Sequence, residues 1–224
     1  MKLKIIFIYL TFLIFSGCIT IYMPTTKIPT AFTQKKDFRL SMELSANFFA
    51  AGLAVTPIEN VYIHGELANF SGSSFHHNTI SSFGVGAYKV IDSTQQIEIQ
   101  VSIGSANFDY GNPFNGSYYD LTLANGNSKV YSSFISYTFL NRKSQHSLVF
   151  NYGLVNVHYN YCNLPSIDKT TQHASHISCF YVAKFRLANH LKLFVSPGIN
   201  YLSNREKIRY NPISLRFGIE VGLK

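Results

Sequence analysis

Apolar side chains recur at every second residue along most of this chain, and few features restrict a fold more. In the last segment Ile213, Leu215, Phe217, Ile219, Val221 and Leu223 share one face, while Ser214, Arg216, Gly218, Glu220 and Gly222 share the other. Such alternation specifies a strand apolar on one side only, and almost no window from Phe38 onward supports a helix. Leu191, Leu193, Val195, Pro197, Ile199 and Tyr201 follow the same rule, as do Ile97, Ile99, Val101 and Ile103, and Phe38, Leu40, Met42 and Leu44.

The pattern predicts ten strands, at 38–46, 48–56, 60–70, 79–91, 96–107, 128–140, 146–160, 176–187, 190–202 and 212–223, with eight as the alternative count. Their connections alternate in length. Pro57 to Glu59, Asp92 to Gln95, Asn141 to Gln145 and Ala188 to Asn189 are tight, whereas 71–78, 108–127, 161–175 and 203–211 are long. A water-soluble sandwich has no reason to gather its long loops at one end. An outer-membrane barrel has short periplasmic turns and longer external loops. An antiparallel up-and-down meander closed into a membrane β-barrel is therefore expected, since closure removes the unpaired edges that hydrocarbon does not tolerate.

Composition agrees. Only 13% of residues are charged and 15% are aromatic, which excludes a disordered solvating segment. The polar face of the strands is mostly Ser, Gly, Asn and Thr, as suits a narrow lumen; a soluble barrel would present Lys and Glu to water. Tyr131, Tyr137, Tyr152, Tyr159, Tyr161, Tyr181 and Tyr201 fall partly near strand ends, where interfacial aromatic girdles sit. Three cysteines without a C-x-x-C spacing exclude a disulfide-dense mini-protein and give no zinc signature.

The chain opens Met1-Lys2-Leu3-Lys4, runs apolar from Ile5 to Phe15 with only Thr11 interrupting, and reaches Ser16-Gly17-Cys18. Eleven apolar residues span about 16 Å as a helix, short of a roughly 30 Å hydrocarbon core. Residues 1–17 therefore read as an export signal rather than a permanent span. Small residues before a cysteine resemble the bacterial lipobox, although Phe15 stands where Leu is usual; Cys18 is then the acylated mature N-terminus. From 18 to 37 the chain is aperiodic, with Pro24, Pro29 and Lys35-Lys36, and reads as an extended tether to a barrel domain at 38–224. Loss of Lys2 and Lys4 lowers the formal charge from +8 to +6, an excess suited to anionic lipid headgroups, and no nucleic-acid role is expected.

Cys18 followed by Tyr22-x-Pro24 and Pro29, a first strand bearing Glu43, and an Ala-rich second strand ending Val55-Thr56-Pro57 resemble the small outer-membrane β-barrel lipoproteins of Gram-negative bacteria, a family without assigned activity. The resemblance rests on short motifs over 18–70 and on the strand meander beyond. It implies outer-membrane residence with the lipid anchor on the periplasmic side. The chain departs from many such barrels in ending Val221-Gly222-Leu223-Lys224, without a terminal aromatic.

Candidates for chemistry are few. His176-x-Ser178 places an imidazole and a hydroxyl on one strand face and is similar to the His-x-Ser pair of outer-membrane lipid A deacylases; Asp168 is the only carboxylate near in sequence for a third member. An incidental pair on a strand is the competing reading. His76-His77 is too sparse for a metal site, and neither a metal nor a cofactor is expected. Arg39, Glu43, Glu98, Lys184, Arg186, Lys192, Arg216 and Glu220 all fall on the polar face; in a closed lumen they must pair, either as a salt-bridged plug or as the lining of a small gated pore. Cys162 and Cys179 are candidates for a disulfide. The loops 108–127 and 161–175, the first aromatic and rich in Asn and Gly, are candidate contacts for an envelope protein or glycan.

The resulting expectation is a lipid-anchored outer-membrane barrel in contact with membrane lipid and lipopolysaccharide, with a structural or binding role exercised through its external loops. An envelope-lipid hydrolase centred on His176 and Ser178 is the enzymatic alternative, and a lipocalin-like periplasmic carrier is a third.

Overall fold

A computed structural model describes residues 29, 32, 37–45, 48–72, 75–111, 123–163, 166–203 and 213–223. Ten strands follow one another: β1 (Phe38–Ser45), β2 (Phe48–Ile58), β3 (Val61–Gly72), β4 (Phe75–Asp92), β5 (Gln95–Gly111), β6 (Leu123–Leu140), β7 (Ser144–Asn163), β8 (Ser166–Arg186), β9 (Leu191–Leu202) and β10 (Ile213–Leu223). Each pairs antiparallel with its sequence neighbours, and β1 meets β10 from Phe38↔Leu223 to Leu44↔Phe217, so the sheet closes on itself. The expected antiparallel meander is present with ten strands, not eight.

Local chemistry explains the tight turns. Glu59–Asn60 is a two-residue turn in which Asn60 adopts φ 65°, a left-handed conformation that asparagine tolerates better than most side chains. Just before it the β2–β3 register shifts between Val55 and Ile58, where Pro57 has no N–H to give the ladder. In the β4–β5 turn, Asp92 accepts from the Thr94 hydroxyl at 2.7 Å and from the Thr94 amide at 2.6 Å. These bonds hold its carboxyl below the usual aspartate range.

The alternation sorts the faces as the sequence required. Arg216 is 0% exposed and Glu220 is buried inside, while Phe217 is 49% exposed on the outer wall. Outward apolar side chains form a belt around the barrel, including Leu40, Leu53, Phe83, Val101, Ile135, Phe150, Ile177 and Ile199. At the short-turn rim Tyr137 meets Phe139 edge-on, and His146 stacks on Tyr181 with its Nδ1 2.7 Å from the hydroxyl.

Large inward side chains fit the narrow lumen by lying across glycines. In six directly registered pairs, Tyr62/Gly86, His64/Gly84, His176/Gly153, Phe180/Gly198, Phe194/Gly218 and Arg39/Gly222, a methyl added to the glycine would overlap the opposite side chain. Interior volume here is apportioned across strand pairs, large against none.

The strands run further than periodicity indicated. β5 and β6 take 108–111 and 123–127 of the presumed loop 108–127, leaving 112–122 outside the described residues. The presumed loop 161–175 is a β-hairpin, with Asn163 paired to Ser166. On these extensions the polarity reverses. Along β7 the outward residues Leu148, Phe150, Tyr152 and Leu154 give way to Asn156 and His158, while inside Ser147 and Asn151 give way to Val155 and Val157. β8 does the same, with Ile177 followed outside by Ser175, His173 and Thr171, and His176 followed inside by Ala174. The change keeps register across neighbours. Ser81, Ser105, Lys129, Asn156 and His173 stand opposite one another on five adjacent strands, all outward and polar, and the next row is apolar on four of them, Phe83, Ile103, Tyr131 and Leu154, and reaches Ser175 on β8.

Candidate functional site

The lumen holds the densest polar chemistry among the described residues. At the short-turn end Glu220 receives Lys184 at 2.5 Å and Lys192 at 3.1 Å, with Arg39 at 3.8 Å. Arg39 also binds Asp37 at 2.8 Å, and Lys192 donates to Gln145 at 3.1 Å. β1, β8, β9 and β10 each contribute one charge because each strand faces inward at alternate residues. Half-burial of Lys192 and Arg39 and full burial of Lys184 and Glu220 make this a desolvated network, in which loss of one member strands the others.

Part of the segment preceding β1 joins this network. Lys184 Nζ donates to the carbonyl of Pro29, and Phe32, fully buried, packs its ring 5.3 Å from Tyr62 and 5.8 Å from Tyr88 with the Arg39 guanidinium 5.9 Å from its centroid. Asp37 is fixed by hydrogen bonds of its own N–H to Thr56 Oγ1 at 2.8 Å and of the Thr56 N–H to its carbonyl at 3.0 Å. The sequence identified residues 18–37 only as a tether; Pro29 and Phe32 lie inside the barrel mouth. Their insertion leaves no signature in alternation, and Phe32, an isolated aromatic in an aperiodic segment, is the one clue.

A second ion pair lies deeper. Arg216 Nη1 donates to Glu43 Oε1 at 2.6 Å, and its guanidinium sits 4.6 Å from the Phe48 ring centroid and 5.6 Å from that of Phe180. Phe180 belongs to an apolar layer with Phe134, Val149, Val182 and Phe194 that crosses the interior. Glu98 accepts from the Tyr62 hydroxyl at 2.6 Å, so its partner is a phenol at another side of the lumen rather than the Glu220 network. Arg186 departs from expectation: it shares the inward parity of Lys184 but is the last residue of β8, past the lumen mouth, and is exposed. Seven of the eight expected lumen charges are thus inside, in three groups rather than one.

His176 and Ser178 both face the lumen and are buried. His176 Nε2 is 3.3 Å from Asn151 Nδ2, so the amide orients the ring. Ser178 Oγ has no hydrogen-bond partner among the described residues. Asp168 is paired to Tyr161, eight residues up β8 from His176, about 26 Å at strand rise, and cannot complete a triad with it. The pair also faces away from the belt, so acyl chains outside the barrel do not meet it. His76 and His77 lie on β4 with side chains outside the described residues, as Cys18 is altogether.

The expected Cys162–Cys179 bridge is corrected by the register. Cys162 stands opposite Ile167 and Cys179 opposite Phe150, twelve pairs further along β8, which separates them by about 40 Å where a disulfide needs Cα atoms within about 7 Å. Cys179 is a free thiol on the outer face, opposite Phe150 and Ile199 of the belt.

No known protein family matches the chain in sequence, and neither does any curated protein. Solved structures do match in shape. The outer membrane protease OmpT from Escherichia coli superposes with a TM-score of 0.54 at 6% identity, covering 84% of this chain and 92% of that one. The likeness is one of fold. The translocator domain of the autotransporter NalP from Neisseria meningitidis gives 0.48 at 9% identity over 84% and 86% of the two chains. The N-terminal β-barrel domain of Pseudomonas aeruginosa OprF gives 0.38 at 8% identity over 84% and 98%.

Proposed function

We propose that this chain is an integral outer-membrane barrel with a blocked lumen, acylated at Cys18 on the periplasmic side, whose role is structural or binding and is exercised by the strand extensions of β4 to β8. The observation that carries the reading is the reversal of polarity, in register across β4 to β8. Below it the wall is apolar outside and charged inside, the arrangement lipid requires; above it the wall is polar outside and apolar inside, the arrangement water requires. A lipocalin-like carrier needs an open apolar cavity inside the belt, where this barrel is filled by the Glu220 and Arg216 ion pairs and by the layer around Phe180.

Three layers oppose conduction: the Glu220 network with Pro29 and Phe32, the Arg216–Glu43 pair, and the phenylalanines around Phe180. Eleven residues join Cys18 to Pro29, and extended they reach about 36 Å, enough to link an acylated terminus in the periplasmic leaflet to the nearby barrel mouth. Outside the extension, His158 Nδ1 lies 2.9 Å from Thr171 Oγ1 and His173 Nδ1 2.7 Å from Asn156 Oδ1, an amide and imidazole surface suited to an envelope glycan or protein.

The full chain expressed in a Gram-negative host tests this directly. Resistance to carbonate extraction and heat-modifiable electrophoretic migration are expected, with palmitate label lost in Cys18→Ala. Extraction of the wild type by carbonate overturns the membrane reading. Steady single-channel conductance in planar bilayers overturns the blocked lumen alone.

A further inference from the structure

The outer wall is not evenly filled. Across β1 to β6 a groove of about 670 Å³ is cut into the belt, within the size range of small-ligand sites. Its floor is made by residues with little or no side chain, Ala51 and Gly65, and by the hydroxyls of Ser81 and Ser105, 3.3 Å apart. Its flanks are Leu53, Leu67, Phe83, Ile103 and Tyr131. At its upper end is Lys129, exposed, with no ion pair among the described residues. Register explains the shape: Leu67, Ser81, Ser105 and Lys129 stand in one cross-strand row, and Gly65, Phe83, Ile103 and Tyr131 in the next.

The geometry points to a binding site for an anionic lipid of the leaflet on the long-strand side, one acyl chain lying in the groove and its phosphate at Lys129 and the two serines. Two features select that ligand over an apolar partner helix or a free phosphate. The cation stands beside Ser81 and Ser105, one row beyond the apolar Phe83, Ile103 and Tyr131, and the groove runs from it into that apolar row. A free phosphate would leave the groove unfilled, and a helix would place no anion beside Lys129. The inference rests on the membrane reading above, so its test separates the two.

The chain contains no tryptophan, so one introduced residue reports alone. Phe83→Trp places it on the groove flank and Ile199→Trp on the outer face of β9, away from the groove. Each full-length variant is folded into phosphatidylcholine vesicles containing, at equal mole fraction, either bromoacyl phosphatidylglycerol or bromoacyl phosphatidylcholine. Phe83→Trp is expected to be quenched as if the anionic lipid were enriched about fivefold, the preference one lysine gives near an anionic surface. Ile199→Trp is expected to be quenched equally by both, and adding Lys129→Gln to Phe83→Trp is expected to abolish the enrichment. Equal quenching at Phe83→Trp, or enrichment that survives Lys129→Gln, overturns the lipid site. Absence of quenching by either lipid at Ile199→Trp overturns the membrane reading itself.

Discussion

Cut across its axis, the barrel has two halves that close the same cylinder with opposite chemistry. In the short-turn half, residues such as Val101, Phe150 and Phe217 face outward while Lys184, Lys192 and Arg39 converge on Glu220 inside. In the long-strand half Val155, Val157, Ala106 and Ile80 are the interior, and Asn107, Asn127, His158 and Thr171 face out. A strand changes from one regime to the other within one or two residues and without a bend in the ladder. The medium outside, not the fold, sets which face must be apolar.

The sharpest way to break this contrast is to unbalance the charged half. Glu220→Ala leaves Lys184 and Lys192 buried without their shared carboxylate, and a loss of about 3–5 kcal/mol is expected in the urea midpoint for refolding into vesicles. The double change Glu220→Leu with Lys184→Met is expected to recover most of it. If Glu220→Ala alone is neutral, the network contributes nothing to closure.

Outward arginines test the boundary next. Val101→Arg, at the middle of the belt and 63% exposed, is expected to cost about 2–4 kcal/mol in the same assay. Asn156→Arg, on the polar row, is expected to change stability by less than about 0.5 kcal/mol. Equal costs at the two sites would remove the distinction between the halves.

Alternation made the belt, the strand count, the closing order and the inward turn of Arg216 and Glu220 legible from the sequence. It failed at the point where it reversed. Outside β8, Ser175, His173 and Thr171 replace the apolar residues that mark the strand from Ile177 onward, so a search for one continuous phase starts that strand at 176 and reads 166–175 as loop. Pairing within the lumen was illegible for a different reason: shear decides which inward residues share a level, and the sequence does not state it. Hence Glu98 lies beside Tyr62, Arg186 falls outside the mouth, and Cys162 and Cys179 are far apart. The seat of Phe32 depends on room left by Gly86 under Tyr62, which appears only once strands are in register.

Smaller effects sharpen the detail. Gly198→Ala places a methyl against the Phe180 ring in the apolar layer, with an expected cost of about 1–3 kcal/mol by overpacking. Thr94→Ala is expected to have the least effect, raising the Asp92 titration toward the ordinary aspartate range in a carbon-detected NMR titration. The sign follows from linkage: a carboxyl held low in the fold stabilises above its unfolded pKa, and that contribution fades as pH falls through the folded value. An unmoved titration in Thr94→Ala would assign the lowering elsewhere.

The row from Ser81 through Lys129 to His173 also acts as a waterline. Were the cylinder to sink by one pair, a lysine, an asparagine and a histidine would enter oil; were it to rise, Phe83, Ile103 and Leu154 would be left dry of lipid. Sliding in either direction is thereby opposed, and the upper wall is kept out of the oil.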